Sequence, residues 1–554
     1  MKRASILLLV SLALGCGAAA PGTSPAGGPV ATVGPGGKGA PGAPADPFAV
    51  IGALTRERLP DEPPGMPLRR LPFPPVPQGV PAMPQHCEVY AARRPAGSVE
   101  CSDRASALAA LDQALQRSDP HERDTALVDV ESCQDLPLGL VRALRAELAP
   151  TECGDGVVEQ LLSNTPDQIG GMVYDALFGL GLAGRLARTV TSPPKLTPPY
   201  DKKRVKAFHE GPLLAWGTEQ AQAIQGMSDL GVKLGYYGKA VVAVEAGMAD
   251  MRFVEMVRGL PVPDEYREDK ELLDQYYGGL DVALEPRKSR GRDAALVGLR
   301  GLAYVGVITD PRVGKARGLL SRMYGGRPID ALDALLLPVE PPAPAATVEQ
   351  RLARALPSFY AGLVLVPAAV DDALLLRALT RRGLPLPHRI ALAKAEPSPE
   401  IRLIAARARF ELGRTYWRAV DIDESVHLLS QWPQGSPRPP EATLLLALGL
   451  ALRGGPADAA AMIRTAPVES LGIGRVAALE AVAKDEAQRT VAGQAEFDAA
   501  VILELAAPPR AEAGYWQDLA RRFRAAAGGL TDPKARAEAE QRARAATATA
   551  RAIR

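Results

Sequence analysis

Apolar residues recur every three or four positions through most of the chain beyond residue 100. Ala105, Leu108, Leu111 and Leu115 share one face of a helix predicted over 104–117. The same spacing predicts further helices at about 155–163, 167–189, 203–230, 232–258 and 265–285. No segment alternates apolar and polar residues over the length of a strand. We therefore predict an all-α fold, an irregular array of helical hairpins that resembles an α-solenoid.

One hairpin is predicted most clearly, over residues 292–326. An apolar helix ends near Val307, and Asp310-Pro311 starts a second helix, since Asp caps helix N-termini and Pro suits the first turn. The second helix has an apolar face made of Val313, Ala316, Leu319, Leu320 and Met323. The sequence GLAYVGVITDPRVGKARGLL resembles the helix–DPR–helix of bacterial HEAT-type repeats.

Further hairpins are predicted in the C-terminal part of the chain. Their helices are expected at 400–412, 425–432, 441–452, 456–463, 497–505, 515–527 and 533–553. The stretch ATLLLALGLALRGGPADAAAMI resembles a tetratricopeptide unit, in which small residues lie where two helices cross. The intervals between hairpins are irregular, so a strict repeat is not expected. By analogy with such arrays, the helices would present an extended surface to a protein partner.

The N-terminus has the pattern of a secretory signal peptide. Lys2 and Arg3 precede an apolar stretch over 6–14, too short to span a bilayer, and Gly15-Cys16 follows. The segment LALGC resembles a bacterial lipobox, which implies a lipid on Cys16 that anchors the protein to a membrane. The alternative is cleavage at Ala18-x-Ala20, which would release a soluble protein. Gly17 replaces the Asp typical of inner-membrane retention, so the resemblance implies an outer-membrane lipoprotein facing the periplasm.

Two low-complexity segments follow the signal peptide. Residues 17–47 are almost entirely Gly, Pro and Ala, which predicts a disordered tether because little apolar surface is available for burial. Residues 60–85 contain ten prolines and predict a polyproline-like segment. This segment is interpreted as a proline-recognition ligand, a stiff spacer or a strap lying on the folded body.

Six segments are predicted along the chain. They are a signal peptide at 1–15, the lipidated Cys16 and tether at 16–47, a Pro-rich spacer at 48–86, a disulfide-stapled helical region at 87–190, a central helical region with the HEAT-like hairpin at 191–340, and a tetratricopeptide-like region at 347–554. Residues 338–346 are expected to form the joint between the last two.

The four cysteines after Cys16 support export. Cys87, Cys101, Cys133 and Cys153 cluster in one region, and an even, clustered set in an exported chain predicts two disulfides. The simplest pairing joins neighbours along the chain, although three connectivities are open. A zinc site is the alternative, but no C-x-x-C motif occurs and only His86 adjoins a cysteine. Disulfides are therefore preferred, and no metal or cofactor is predicted.

Motifs for catalysis and cofactors are weak. Residues 179–184 match G-x-G-x-x-G, but the preceding MVYDALF is helical in character, so glycines for close helix packing are preferred over a dinucleotide site. Ser192-Pro193-Pro194-Lys195 matches S-x-x-K, but the two prolines oppose the helical turn that this chemistry needs. No catalytic residue is therefore assigned.

Charge suggests one surface for a partner. The 65 basic and 63 acidic residues nearly cancel, so no nucleic-acid partner is expected. Arg287, Lys288, Arg290 and Arg292 form a dense basic run that could bind an acidic envelope protein or a lipopolysaccharide phosphate; a solvated loop is the alternative. The predicted function is a lipid-anchored helical scaffold of the cell envelope. The alternative is an enzyme acting on cell-wall polymers, which clustered buried carboxylates in one cleft would favour.

Overall fold

The computed structural model describes residues 72–91, 99–324, 332–338, 344–366, 370–453 and 476–553. Within these ranges every regular element is a helix, which confirms the all-α helical-hairpin array. The signal peptide, Cys16, the tether and the helix predicted at 456–463 lie outside the described residues. No helix in the described part of the chain is both long and apolar enough to cross a bilayer.

Eleven α-helices are described before the expected joint. They are α1 Arg104–Leu115, α2 Pro120–Val130, α3 Leu140–Leu148, α4 Gly154–Asn164, α5 Gly171–Arg188, α6 Lys202–Phe208, α7 Leu214–Gly231, α8 Tyr236–Arg258, α9 Asp264–Arg267, α10 Lys270–Tyr304 and α11 Pro311–Tyr324. Asp side chains cap several of them as the sequence predicts; Asp119, for example, accepts from the backbone N–H groups of His121 and Glu122.

Eleven more helices are described after it. They are α12 Val348–Ala355, α13 Ser358–Val364, α14 Ala373–Thr380, α15 Leu386–Lys394, α16 Pro399–Tyr416, α17 Ala419–Ser430, α18 Pro440–Leu452, α19 Ala477–Lys484, α20 Arg489–Leu505, α21 Ala513–Gly529 and α22 Pro533–Ala552. Consecutive helices pack as hairpins, and the buried apolar side chains form one connected core from Cys87 to Ala546.

Residues 72–91 form a strap on the surface of α4, α5 and α7. The Phe73 ring packs edge-on against Phe178, with ring centroids 5.2 Å apart. Arg185 donates to the carbonyl oxygen of Pro74 at 2.7 Å, and Gln220 donates to that of Gly79, also at 2.7 Å. Of the three interpretations of the proline-rich segment, the strap is therefore the one observed for its described residues.

The glycines of the G-x-G-x-x-G sequence lie in the middle of α5 and are buried. A Cβ at Gly179 would lie 2.5 Å from the Cα of Gly238 in α8, and one at Gly184 would lie 2.9 Å from the backbone N of Asp155 in α4. The motif therefore lets three helices approach closely, as the packing interpretation predicts. None of the described residues before it forms a strand, so they do not provide the strand that a dinucleotide fold places before this motif.

The helix predicted at 265–285 does not end before the basic run. It belongs to α10, which continues through Pro286 to Tyr304. A proline inside a helix leaves the carbonyl four residues earlier without its partner. Here that residue is Val282, whose exposure of 74 % places it on the solvent side. Water can therefore donate a hydrogen bond to this carbonyl. Residues 287–292, for which a solvated loop was the alternative to a binding surface, are helical instead.

The cysteine pairing is nested. Cys87 pairs with Cys153, and Cys101 pairs with Cys133, with Cα atoms 5.1 Å and 5.4 Å apart. The prediction that four cysteines make two disulfides agrees with this geometry. The simplest pairing, between neighbours along the chain, is wrong, because the strap brings Cys87 onto the start of α4, where Cys153 lies.

Candidate functional site: an arginine-rich cleft

Two turns meet beside a cleft that is lined by Ile308, Thr309 and Arg381. The backbone N–H of Ile308, after α10, donates to the carbonyl oxygen of Arg382, after α14, at 3.0 Å. Gly306 and Gly383 adopt φ of +81° and +86°. A Cβ at Gly306 would collide with the carbonyl of Leu384, so only glycine permits this approach of two backbones.

The cleft above these turns has a volume of about 650 Å³, within the usual range for a ligand pocket. Its charged lining comes from α11, α12, α14, α16, the two turns and the segment 332–338. Six arginines line it: Arg317, Arg354, Arg377, Arg381, Arg407 and Arg414. Three carboxylates line it: Asp310, Asp333 and Glu411. Positive charge therefore exceeds negative charge. We call this the arginine cleft.

Each of the three carboxylates contacts an arginine. Asp333 accepts two hydrogen bonds from Arg317, at 2.9 and 2.8 Å. Glu411 pairs with Arg414 of the next helical turn at 2.7 Å. Asp310 accepts from the backbone N–H of Arg312, whose side chain does not line the cleft. The carboxylates are thus acceptors in ion pairs.

Several guanidinium donors of the cleft have no acceptor among the described residues. They are the buried Nε atoms of Arg317, Arg377 and Arg414. Arg381 and Leu374 also line the cleft; Arg381 is exposed, and Leu374 is an apolar side chain that is 40 % exposed. Guanidinium groups bind carboxylates and phosphates through paired N–H donors. The cleft is therefore suited to an anionic group that carries an aliphatic neighbour.

A buried network fixes the helix that carries Arg317. Arg312 of α11 pairs with Glu147 of α3, and Glu147 also accepts from the hydroxyl of Tyr237 of α8 at 2.5 Å. Tyr360 of α13 donates to the same carboxylate at 3.3 Å. Burial raises the pKa of Glu147, and the adjacent Arg312 opposes that shift. Four helices are therefore joined through one carboxylate.

The basic run does not form a free cationic surface. Arg287 and Arg290 point toward α8, where both pair with the buried Asp250, and Arg287 also stacks over the Phe253 ring at 3.9 Å. Lys288 and Arg292 pair with neighbours on their own helix, Glu285 and Asp293. The run therefore contributes to the packing of α10 on α8, and its binding role stays a prediction.

The other candidates are separate from the arginine cleft. Ser192 and Lys195 lie in the irregular segment between α5 and α6. In the described ranges, the one group of three potential metal ligands within 4.8 Å of each other is His86, Cys87 and Cys153. Both sulfurs belong to the disulfide, so they offer no thiolate to a metal.

The arginine cleft was not predicted from the sequence. Its six arginines are spread between residues 317 and 414 and come from separate elements, so no motif joins them. One partial signal was present, since Asp310-Pro311 correctly predicted the start of α11 and thus the position of Arg317.

Comparison with protein-family models, with curated proteins and with solved structures finds no match to this chain.

Proposed function

We propose that the protein is a lipid-anchored helical scaffold of the cell envelope, which binds an acidic segment of a partner protein in the arginine cleft. The observation that carries this proposal is the lining of six arginines against three carboxylates. The lining carboxylates already contact arginines, and Arg377 also pairs with Glu400, which is not part of the lining, at 2.6 Å. The six arginines still outnumber these four carboxylates, which favours a partner with carboxylates of its own. Leu374 and Ala378 add an apolar contact for a side chain beside them.

Binding is favoured over the alternative of an enzyme acting on cell-wall polymers. Glycoside hydrolysis needs a carboxylic acid and a second carboxylate across an open site. In the arginine cleft the carboxylates contact arginines, and none of the described residues that line it is a histidine or a cysteine.

Crosslinking in intact cells tests the cleft. The variant Arg377→Glu/Arg381→Glu reverses two charges in it, and Lys288→Glu/Arg292→Glu reverses two charges of the basic run as a matched control. We expect the first variant to lose the crosslinked partner and the second to keep it. Equal loss in both variants, or loss in the control alone, would refute the cleft as the binding site. Capture of lipopolysaccharide without a protein would instead indicate a phosphate-bearing ligand.

The membrane anchor requires a separate test. Metabolic labelling with a clickable fatty acid should label the wild type and leave Cys16→Ser unlabelled. A wild type without label, with a mature N-terminus beyond residue 16, would contradict the anchor and leave the binding proposal standing.

A further inference from the structure

Asp333 occupies the arginine cleft in the manner expected of a bound carboxylate. Both of its oxygens accept from Nη2 of Arg317, at 2.9 and 2.8 Å. The Asp333 side chain is 46 % exposed, whereas Arg317 is 17 % exposed and its guanidinium lies 5.4 Å from the Trp417 ring centroid. The aspartate can therefore move into solvent while the arginine keeps its position.

Two hydrogen bonds hold the segment that carries Asp333, at the residues two and three positions after it. The carbonyl oxygen of Leu335 accepts from Arg414 at 3.0 Å, and the N–H of Leu336 donates to Asp498 of α20 at 2.7 Å. Asp498 is fully buried, so this attachment is to the core of the C-terminal helices. Asp333 is therefore kept close to Arg317 even when the ion pair opens, which gives it a high effective concentration.

We propose that Asp333 is an internal competitor of the acidic partner, and that binding requires a partner carboxylate to replace Asp333 on Arg317. This inference rests on the proposed function, since it assumes that the arginine cleft binds carboxylates. Ion pairs with an exposed member are weak, so the exchange is easily reversed. The affinity of the partner is reduced by the fraction of molecules in which Arg317 is paired internally. A partner therefore needs enough negative charge to displace Asp333 from Arg317.

Removing the competing charge tests the inference. The probe is fluorescein-labelled hexaglutamate, measured by fluorescence anisotropy at low salt on the full-length protein in detergent. Asp333→Asn should bind the probe about three- to tenfold more tightly than the wild type. Asp333→Glu, which keeps the charge, should stay within about twofold of the wild type by the same reasoning. Asp293→Asn, which removes an exposed carboxylate paired with Arg292 on α10, is the matched control and should not change the affinity.

The outcomes separate this inference from the proposed function. Unchanged affinity in Asp333→Asn, with binding lost in Arg377→Glu/Arg381→Glu, would overturn the competitor and leave the cleft as the binding site. Weaker binding by Asp333→Asn would also overturn it, because Asp333 would then orient Arg317 for the ligand. Absence of binding in the wild type and in Asp333→Asn would refute both. Thermal unfolding followed by circular dichroism verifies that each variant is folded.

Discussion

Arginine is used differently beneath the strap and in the arginine cleft. Beneath the strap, Arg188 donates to both oxygens of Asp155, at 2.6 and 2.7 Å, and to the carbonyl oxygens of Glu152 and Pro81. Arg145 is likewise surrounded by Asp124, Glu131 and the carbonyl of Tyr90. In the cleft, by contrast, arginines outnumber carboxylates and border an open space.

The difference indicates separate roles for the two regions. Where the guanidinium donors are matched by acceptors of the same chain, the arginines join the strap and the helices into one unit. In the arginine cleft, the Nε atoms of Arg317, Arg377 and Arg414 have no acceptor among the described residues, which leaves these donors for another molecule.

Arg188→Ala should lower the free energy of unfolding by about 3–5 kcal/mol, because the buried Asp155 carboxylate loses both hydrogen bonds from Arg188 and keeps only the longer contact with Arg185, at 3.4 Å. Arg381→Ala, at the exposed rim of the cleft, should change it by less than about 0.5 kcal/mol. Denaturant unfolding at neutral pH measures both. Similar values for the two variants would remove the distinction between the regions.

The variant Cys87→Ala/Cys153→Ala should lower the free energy of unfolding by about 4 kcal/mol, the amount that the chain-entropy model gives for a loop of this size. The strap carries Cys87, so its protease resistance should fall as well. Limited proteolysis alongside denaturant unfolding tests this. The acidic probe should bind as in the wild type under conditions in which the variant is folded; lost binding there would show that the two regions are not separable.

His388 should make the stability of the fold sensitive to acid. It is fully buried in α15, and burial lowers its pKa from 6.5 to about 4. Between these pH values the unfolded chain binds a proton that the folded chain does not, so stability falls as the pH falls from 6.5 to 4. The loss reaches about 3 kcal/mol at pH 4.

The variant His388→Leu isolates that contribution, because an apolar side chain of similar volume cannot take up the proton. The pH dependence of its unfolding should be flatter than that of the wild type between pH 4 and 6.5. His121→Gln, at an exposed position, is the control. An identical pH dependence in His388→Leu and the wild type would contradict the prediction.

Gly179→Ala should destabilise the protein by about 1–3 kcal/mol, because the new Cβ would press on the backbone of Gly238. Gly226→Ala is the matched control in α7, since a Cβ there has nothing within 4 Å. It should be neutral or stabilising by up to about 1 kcal/mol, from the higher helix propensity of alanine. Thermal unfolding of the two variants tests the packing role of the α5 glycines.

Local patterns predicted the helices well and the site poorly. Asp119-Pro120, Asp310-Pro311 and Asp532-Pro533 each start a helix, because capping depends on a few adjacent residues. The continuation of α10 through Pro286 was not predictable in this way, since it depends on Val282 facing solvent and on Asp250 of another helix.

The nested disulfides and the arginine cleft were missed for the same reason. Cys87 reaches Cys153 because the strap lies along α4 and α5. Arg317 meets Asp333 because α20 holds Leu336, three residues after Asp333, through Asp498. Such pairings between residues that are distant in the sequence produce no periodic pattern from which they could be predicted.

Hydrogen–deuterium exchange of the wild-type protein, with and without hexaglutamate, shows whether an acidic ligand binds in the arginine cleft. We expect the probe to slow exchange in the turns at 305–310 and 381–385 and in α14, and to leave exchange in the basic run at 287–292 and in the strap unchanged. Protection of the basic run or the strap, without protection of the two turns, would contradict it.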